Sequence, residues 1–85
     1  MYIVKYSKQA LKELRKMPAN WARRIVGKVE ELAQFPYEQA QIKSLKGIDA
    51  YRLRVGNWRV IYTINDNKLE ILIIKIAVRG EVYRS

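Results

Sequence analysis

The sequence predicts a two-layer α+β domain in which two antiparallel helices pack on one face of a mostly antiparallel sheet. Three observations lead to this fold class. A short β-rich segment comes first, two amphipathic segments that each end at a proline follow, and the second half of the chain alternates apolar and polar residues. The predicted order is β-α-α-β-β-β(-β), and the helix pair can cover only one face of such a sheet. Residues 1–85 are expected to form a single domain.

The first half of the chain predicts a strand and two helices. The strand is Tyr2–Tyr6, and Ser7 then stands where an N-cap belongs. Apolar residues at helical spacing follow, namely Ala10, Leu11, Leu14 and Met17. Pro18 ends this helix, because its ring disfavours α geometry in the residue before it.

The second helix is predicted from Ala19 or Asn20 to about Phe35, and Pro36 ends it. Its apolar stripe consists of Ala22, Ile25, Val29, Leu32 and Ala33. The short link between the two helices predicts an αα-hairpin. Residues 42–47 then fit either a short edge strand or an extended loop, and the pattern does not decide between them.

The segment from Tyr51 to Tyr62 predicts a β-hairpin around which the domain is built. Gly56-Asn57 supplies two residues that accept positive φ, as a tight hairpin turn requires. A two-residue loop places Arg54 opposite Arg59, and opposed residues share one face of the sheet. One face is then an apolar wall of Tyr51, Leu53, Val55, Trp58, Val60 and Tyr62. The other face carries Arg52, Arg54 and Arg59 with Ile61 and Thr63, and it is expected to stay open.

The last predicted strand covers residues 69–78, after a turn at residues 65–68. Both alternating sets of its side chains are apolar, which indicates a strand that is covered on both faces or lies centrally in the sheet. The tail from Arg79 to Ser85 ends the chain.

Composition limits the classes of function. Lys and Arg number 17 against 8 Asp and Glu, which gives a net charge of +9 and points to a polyanionic partner. Cys and His are both absent, so the chain lacks thiolate ligands, the commonest metal ligand and the commonest general base. We therefore expect no metal and no cofactor. The chain has no long apolar run and no secretory pattern, so a cytoplasmic protein without membrane attachment is expected.

The three hairpin arginines have two interpretations. Lys and Arg are common on solvated sheet faces, so the cluster has an ordinary structural explanation. A face that serves only solubility usually mixes positive and negative charges, however. We therefore favour a preorganised clamp for phosphate.

These segments resemble the RelE toxins of bacterial and archaeal toxin–antitoxin pairs, over essentially the whole chain. The resemblance is carried by the order of the elements, by Leu45-Lys46-Gly47 through Tyr51-Arg52-Leu53-Arg54, by Trp58-Arg59-Val60-Ile61-Tyr62 and by Arg79-Gly80-Glu81-Val82-Tyr83. It implies a ribosome-dependent endoribonuclease that cleaves mRNA in the A site, and a RelB-like antitoxin that wraps and blocks the toxin.

The resemblance also implies site residues. Arg52 and Arg54 stand where the family has two basic hairpin residues, often lysines, while Arg59 and Arg79 stand at its phosphate-contacting arginines and Tyr83 at its C-terminal tyrosine. Lys43 and Lys46 are expected to contact RNA. Arginine at position 54 departs from the lysine that is most often proposed as the general base. The sequence also ends two residues after Tyr83, so the C-terminal helix of some members is expected to be absent.

Two other functions remain open at this point. A ParE-like toxin has the same fold and inhibits DNA gyrase without cutting RNA, although such members generally lack the terminal arginine–tyrosine pair. A non-catalytic module that binds RNA or the ribosome would need only the basic sheet.

Overall fold

Five strands and two helices make up the described part of the chain. The computed structural model describes residues 1–37, 42–44 and 50–78. The elements are β1 (Ile3–Tyr6), α1 (Lys8–Lys16), α2 (Ala19–Gln34), β2 (Ile42–Ser44), β3 (Tyr51–Val55), β4 (Trp58–Asn65) and β5 (Glu70–Val78). This order confirms the predicted α+β class.

The sheet has the strand order β1-β5-β4-β3-β2. Strand β1 runs parallel to β5, and the other neighbouring strands pair antiparallel. Strand β2 pairs with β3 at one edge of this order, which decides the open interpretation of residues 42–47 in favour of a short edge strand at Ile42–Ser44. Residues 45–47 lie outside the described residues.

The core lies between the two helices and one face of the sheet. From α2, the predicted stripe residues Ile25, Val29 and Leu32 are fully buried. They belong to one cluster with buried wall residues of the hairpin, namely Leu53, Val55, Val60 and Tyr62. Burying side chains of this size contributes about 1.5–3 kcal/mol each, so the apolar wall is a major source of stability.

Two side chains at the start of α1 hold the part of β5 that β1 does not cover. The predicted N-cap is confirmed, because Ser7 Oγ accepts from the backbone N–H of Ala10. The same hydroxyl donates to the carbonyl of Ile74 at 2.6 Å. The Gln9 amide donates to the carbonyl of Ile76 at 3.1 Å and accepts from its N–H at 3.0 Å. These bonds satisfy backbone groups of β5 as a neighbouring strand would.

Strand β5 contains a bulge that the sequence pattern did not reveal. Ile61 pairs with Lys75 and Tyr62 pairs with Ile73, so Ile74 has no place in the register. The extra residue shifts the alternation of faces within one strand. Strand β5 does lie between two others, as one interpretation held. The alternative, a strand covered on both faces, is wrong because Leu72 and Ile74 are 42% and 39% exposed.

The hairpin turn differs from the prediction in one residue. Gly56 has φ +58°, whereas Asn57 is not among the described residues with positive φ. A turn that needs positive φ only at its first central residue is of the type that prefers glycine there. In the β4–β5 turn, the Asn65 side chain accepts from the N–H of Lys68, and Leu69 adopts a φ of +51°.

Neither α1 nor α2, the helices in the described part of the chain, combines the length and apolar character that a membrane span requires.

Candidate nucleic-acid interface

The β3–β4 hairpin places its arginines as the sequence predicts. Arg54 is the register partner of Arg59, and Arg52 is the register partner of Ile61. The neighbouring residues Leu53, Val55 and Val60 are buried in the core on the helix side. Because side chains alternate along a strand, the three arginines belong to the face turned away from the helices.

The three arginines differ in exposure, which corrects the expectation of a uniformly open face. Arg54 is exposed and Arg52 is half-buried, but Arg59 is only 7% exposed. Arg59 lies in β4, the central strand, where its register partners Arg54 and Ala77 flank it on both sides. Side chains on a central strand are less exposed to solvent than those on an edge strand.

Lys75 is a further cation on this face that the sequence did not identify. It pairs with Ile61, which in turn pairs with Arg52, so the register places Arg52, Ile61 and Lys75 in one row across three strands. Lys43 extends the row by one register position, as the partner of Arg52. The bulge at Ile74 determines where Lys75 falls, and no residue type in β5 signals that bulge. We call Arg52, Arg54, Arg59 and Lys75 the basic face.

The basic face concentrates positive charge. Between Tyr51 and Asn65 the sequence contains three arginines and neither Asp nor Glu. Glu70 of β5 lies near the opposite end of the sheet, where it pairs with Lys5 at 3.2 Å. Like charges opposite each other weaken a hairpin, so the Arg54–Arg59 pair opposes folding and favours an anion. Planar guanidinium groups match phosphate oxygens with two hydrogen bonds each.

Aromatic side chains support the hairpin from the core side. The Tyr51 and Tyr62 rings stack at a centroid distance of 5.6 Å and an angle of 21°. Burial raises the pKa of the Tyr62 hydroxyl, which keeps this group neutral. It lies on the core side of the sheet, so it is not a base for chemistry on the basic face.

Trp21 of α2 holds the turn that connects Arg54 to Arg59. A Cβ at Gly56 would overlap the indole ring of Trp21, so the ring lies directly against the turn backbone. The Arg24 guanidinium lies 4.8 Å from the centroid of the Trp21 ring, a cation–π contact. The helix layer thereby fixes the position of the hairpin tip.

Several predicted site residues fall outside the described residues. They are Lys46, Arg79 and Tyr83. Lys43 lies in β2, where the register alone is described. The roles of Arg52, Arg54 and Arg59, and of these residues, stay predictions. Within the described ranges, no group of three or more acidic side chains is arranged to hold a metal ion.

Comparison with known proteins places this arrangement in a family. Residues 4–83 match the family described as the ParE toxin of the type II toxin–antitoxin system parDE. RelE1 of Methanocaldococcus jannaschii is 34% identical, over 96% of this chain and 94% of that protein. The mRNA interferase toxin RelE of Escherichia coli K12 is 30% identical, over 96% of this chain and 90% of that protein.

A solved structure agrees over nearly the full length. The RelE of the archaeal RelE–RelB complex from Pyrococcus horikoshii superposes with a TM-score of 0.82 and 34% identity. The match covers 99% of this chain and 98% of that one. The resemblance inferred from the hairpin and tail residues is thus confirmed: the chain belongs to the RelE/ParE family of type II toxin–antitoxin toxins.

Proposed function

We propose that this toxin is a ribosome-dependent endoribonuclease that cleaves mRNA in the ribosomal A site. The observation that supports it is the Arg54–Arg59 pair with Arg52 on the same face of one hairpin. A relative with 30% identity is named an mRNA interferase, which agrees with this chemistry. The place of action would be the cytoplasm, where translating ribosomes are.

The reaction is attack of a ribose 2′-oxygen on the adjacent phosphorus. The 2′-O–P bond forms and the P–5′-O bond breaks, which leaves a 2′,3′-cyclic phosphate and a 5′-hydroxyl. The 2′-hydroxyl loses a proton and the leaving 5′-oxygen gains one. Arg52, Arg54 and Arg59 of the basic face, with Arg79, would stabilise the charge that develops on the phosphorane. Single donors of this kind contribute about 3 kcal/mol to transition-state stabilisation.

The proton transfers need other groups. Arginine stays protonated at neutral pH, so Arg54 is a poor base at the position where the family often has lysine. Lys43, Lys46 and Glu81 are the alternatives for the base. Tyr83 would either donate the proton to the leaving oxygen or stack on an RNA base. A site with a weak base gains most from a ribosome that holds the 2′-oxygen in line with the scissile bond.

The proposed partner that keeps the toxin inactive is a RelB-like antitoxin. The related Pyrococcus horikoshii RelE forms a complex with RelB. A net charge of +9 would speed association with an acidic partner segment, with a strong dependence on salt.

The test is mapping of mRNA 5′ ends on programmed ribosomes after addition of the purified toxin. Cuts in register with codons, lost in Arg54→Ala and retained in Lys12→Ala, are expected. Lys12 is an exposed cation on α1, so it matches the charge change at a distance from the hairpin. Gyrase inhibition without cuts would instead establish a ParE-type activity. Ribosome binding with neither effect would indicate a non-catalytic module.

A further inference from the structure

A groove separates α2 from the tip of the β3–β4 hairpin. Arg24, Lys28 and Glu31 line it from the helix, and Arg54–Gly56 line it from the hairpin. Its volume is about 380 Å³, within the range of small-ligand sites. We call it the α2 groove.

The α2 groove carries a net positive charge. Among the residues that the structure describes, Arg24, Lys28 and Arg54 contribute three cations to its lining, and Glu31 contributes one carboxylate. Lys28 pairs with Glu31 at 3.4 Å, between neighbouring turns of the helix. Such an exposed pair is weak, so Lys28 can redirect toward an incoming anion at little cost.

The shape of the groove is fixed by contacts on the core side. The Trp21 ring lies against Gly56 on one side, and the Arg24 guanidinium lies 4.8 Å from its centroid. Val55, in the lining, is itself buried in the core. A preformed site of this kind avoids much of the ordering cost of binding.

Arg54 belongs to both the α2 groove and the basic face. It lines the groove beside Arg24 and Lys28, and it is the register partner of Arg59. A nucleic-acid strand whose phosphate contacts the basic face therefore has a continuous cationic path around the hairpin edge. We propose that the α2 groove binds a backbone phosphate of the same single-stranded RNA, next to the scissile segment, and so sets the path of the strand. This inference rests on the proposed function.

Glu31 favours RNA over an acidic peptide as the occupant. The Glu31 carboxylate repels a phosphate and a peptide carboxylate alike, so it discriminates only through a donor that the ligand offers beside its charge. A ribose offers its 2′-hydroxyl as a hydrogen-bond donor, which a carboxylate accepts well. The α2 groove should for the same reason prefer RNA to DNA.

The experiment measures binding of a short fluorescent oligouridylate to the full chain, over a range of salt concentrations, by anisotropy. In Arg24→Gln/Lys28→Gln the affinity should fall about tenfold or more, since charge-assisted contacts are lost. The slope of log affinity against log salt is negative, and its magnitude should decrease by about 0.7, the value for one phosphate on a single strand. The matched control Lys12→Gln/Arg23→Gln removes two exposed cations outside the groove and should change the affinity by about threefold or less.

A second variant tests the ribose contact. Glu31→Gln should lower the preference for oligouridylate over oligodeoxyuridylate of equal length, because the amide is a weaker acceptor than the carboxylate. Equal losses of affinity in the groove variant and its control would overturn the groove proposal. It would also be overturned if the groove variant lost affinity for an acidic polyglutamate peptide and kept its affinity for RNA.

Cleavage on programmed ribosomes separates this proposal from the proposed function. Groove-dependent RNA binding in a protein that cuts no mRNA would refute the endoribonuclease and support the groove. Unchanged RNA binding by the groove variant, in a protein that does cut mRNA, would refute the groove alone.

Discussion

Replacing Gly56 by alanine tests how the hairpin tip is held. Gly56 has φ +58°, a conformation that costs a residue with a Cβ about 1–2 kcal/mol. The added methyl would also overlap the Trp21 ring, and overpacking of this kind costs about 1–3 kcal/mol. We therefore expect the free energy of unfolding to fall by about 2–5 kcal/mol in total.

That loss is large for a chain of this length. A domain of 85 residues typically has about 4–13 kcal/mol of stability. Each kcal/mol shifts Tm by about 4–8 °C in a domain of this size, so Gly56→Ala should lower Tm by about 8–40 °C. Urea unfolding followed by tryptophan fluorescence gives the free energy directly.

Two variants make the reasoning refutable. Gly27→Ala adds the same methyl in the interior of α2, where the new Cβ would meet nothing within 4 Å apart from its chain neighbours and the backbone of its own helix. It should stabilise the fold by about 0.5–1 kcal/mol. In a Trp21→Ala background, Gly56→Ala should cost only the backbone part, about 1–2 kcal/mol. A Gly56→Ala variant as stable as the native protein, or a cost unchanged in that background, would refute the contact.

The remaining predictions concern β5, the tyrosine–aspartate contacts and the chemistry. Gln9→Ala should lower the unfolding free energy by about 1–3 kcal/mol, measured in urea, because the N–H and carbonyl of Ile76 lose their partner. Desolvation and, after it, the hydrogen bond to Asp66 raise the pKa of Tyr37 from 10.0 to about 12. The stability that the neutral Tyr37 hydroxyl contributes is therefore complete below pH 10 and is lost as pH rises toward 12. Thermal melts of Tyr37→Phe should show a smaller alkaline loss. Hydrogen bonds from the Tyr2 and Tyr37 hydroxyls lower the pKa of Asp66 below 3.8. The native protein therefore has the stability from the Asp66 carboxylate in full above pH 3.8 and loses it on further acidification. Asp66→Asn should lack this stability at every pH. Arg54→Lys should slow single-turnover cleavage about two- to tenfold, because it keeps the charge but loses the paired hydrogen bonds. A lysine variant faster than the native toxin from neutral to alkaline pH would show that position 54 takes the proton.

Local rules were sufficient to predict the hairpin and the helix ends. Alternation together with the length of the Gly56-Asn57 loop determines that Arg54 faces Arg59, and the observed register confirms it. Pro18 and Pro36 predict both helix ends to within about a residue, because proline excludes helical geometry before it. These features depend on residues close together in the chain.

The rest of the candidate site depends on contacts between distant segments. Arg59 is buried because β4 is the central strand of the sheet. The order of the elements along the chain does not predict that position. Lys75 joins the basic face because a bulge shifts the register of β5. Arg24 and Lys28 share a groove with Arg54 because of how α2 packs on the hairpin. Helical periodicity alone does not predict that packing.

Side chains alternate between the two faces of the hairpin, so one short segment has two separate roles. Leu53, Val55 and Val60 are buried against the helices, and each buried side chain of this kind contributes about 1.5–3 kcal/mol. The opposed arginines weaken the same hairpin by roughly 0.2–1 kcal/mol, the range for a cross-strand pair. Burial exceeds repulsion, so the hairpin folds with Arg54 and Arg59 held opposite each other. In the proposed function, a phosphate bound between the arginines would relieve this repulsion. Part of the folding energy of the apolar wall would then be available for binding an anion on the other face.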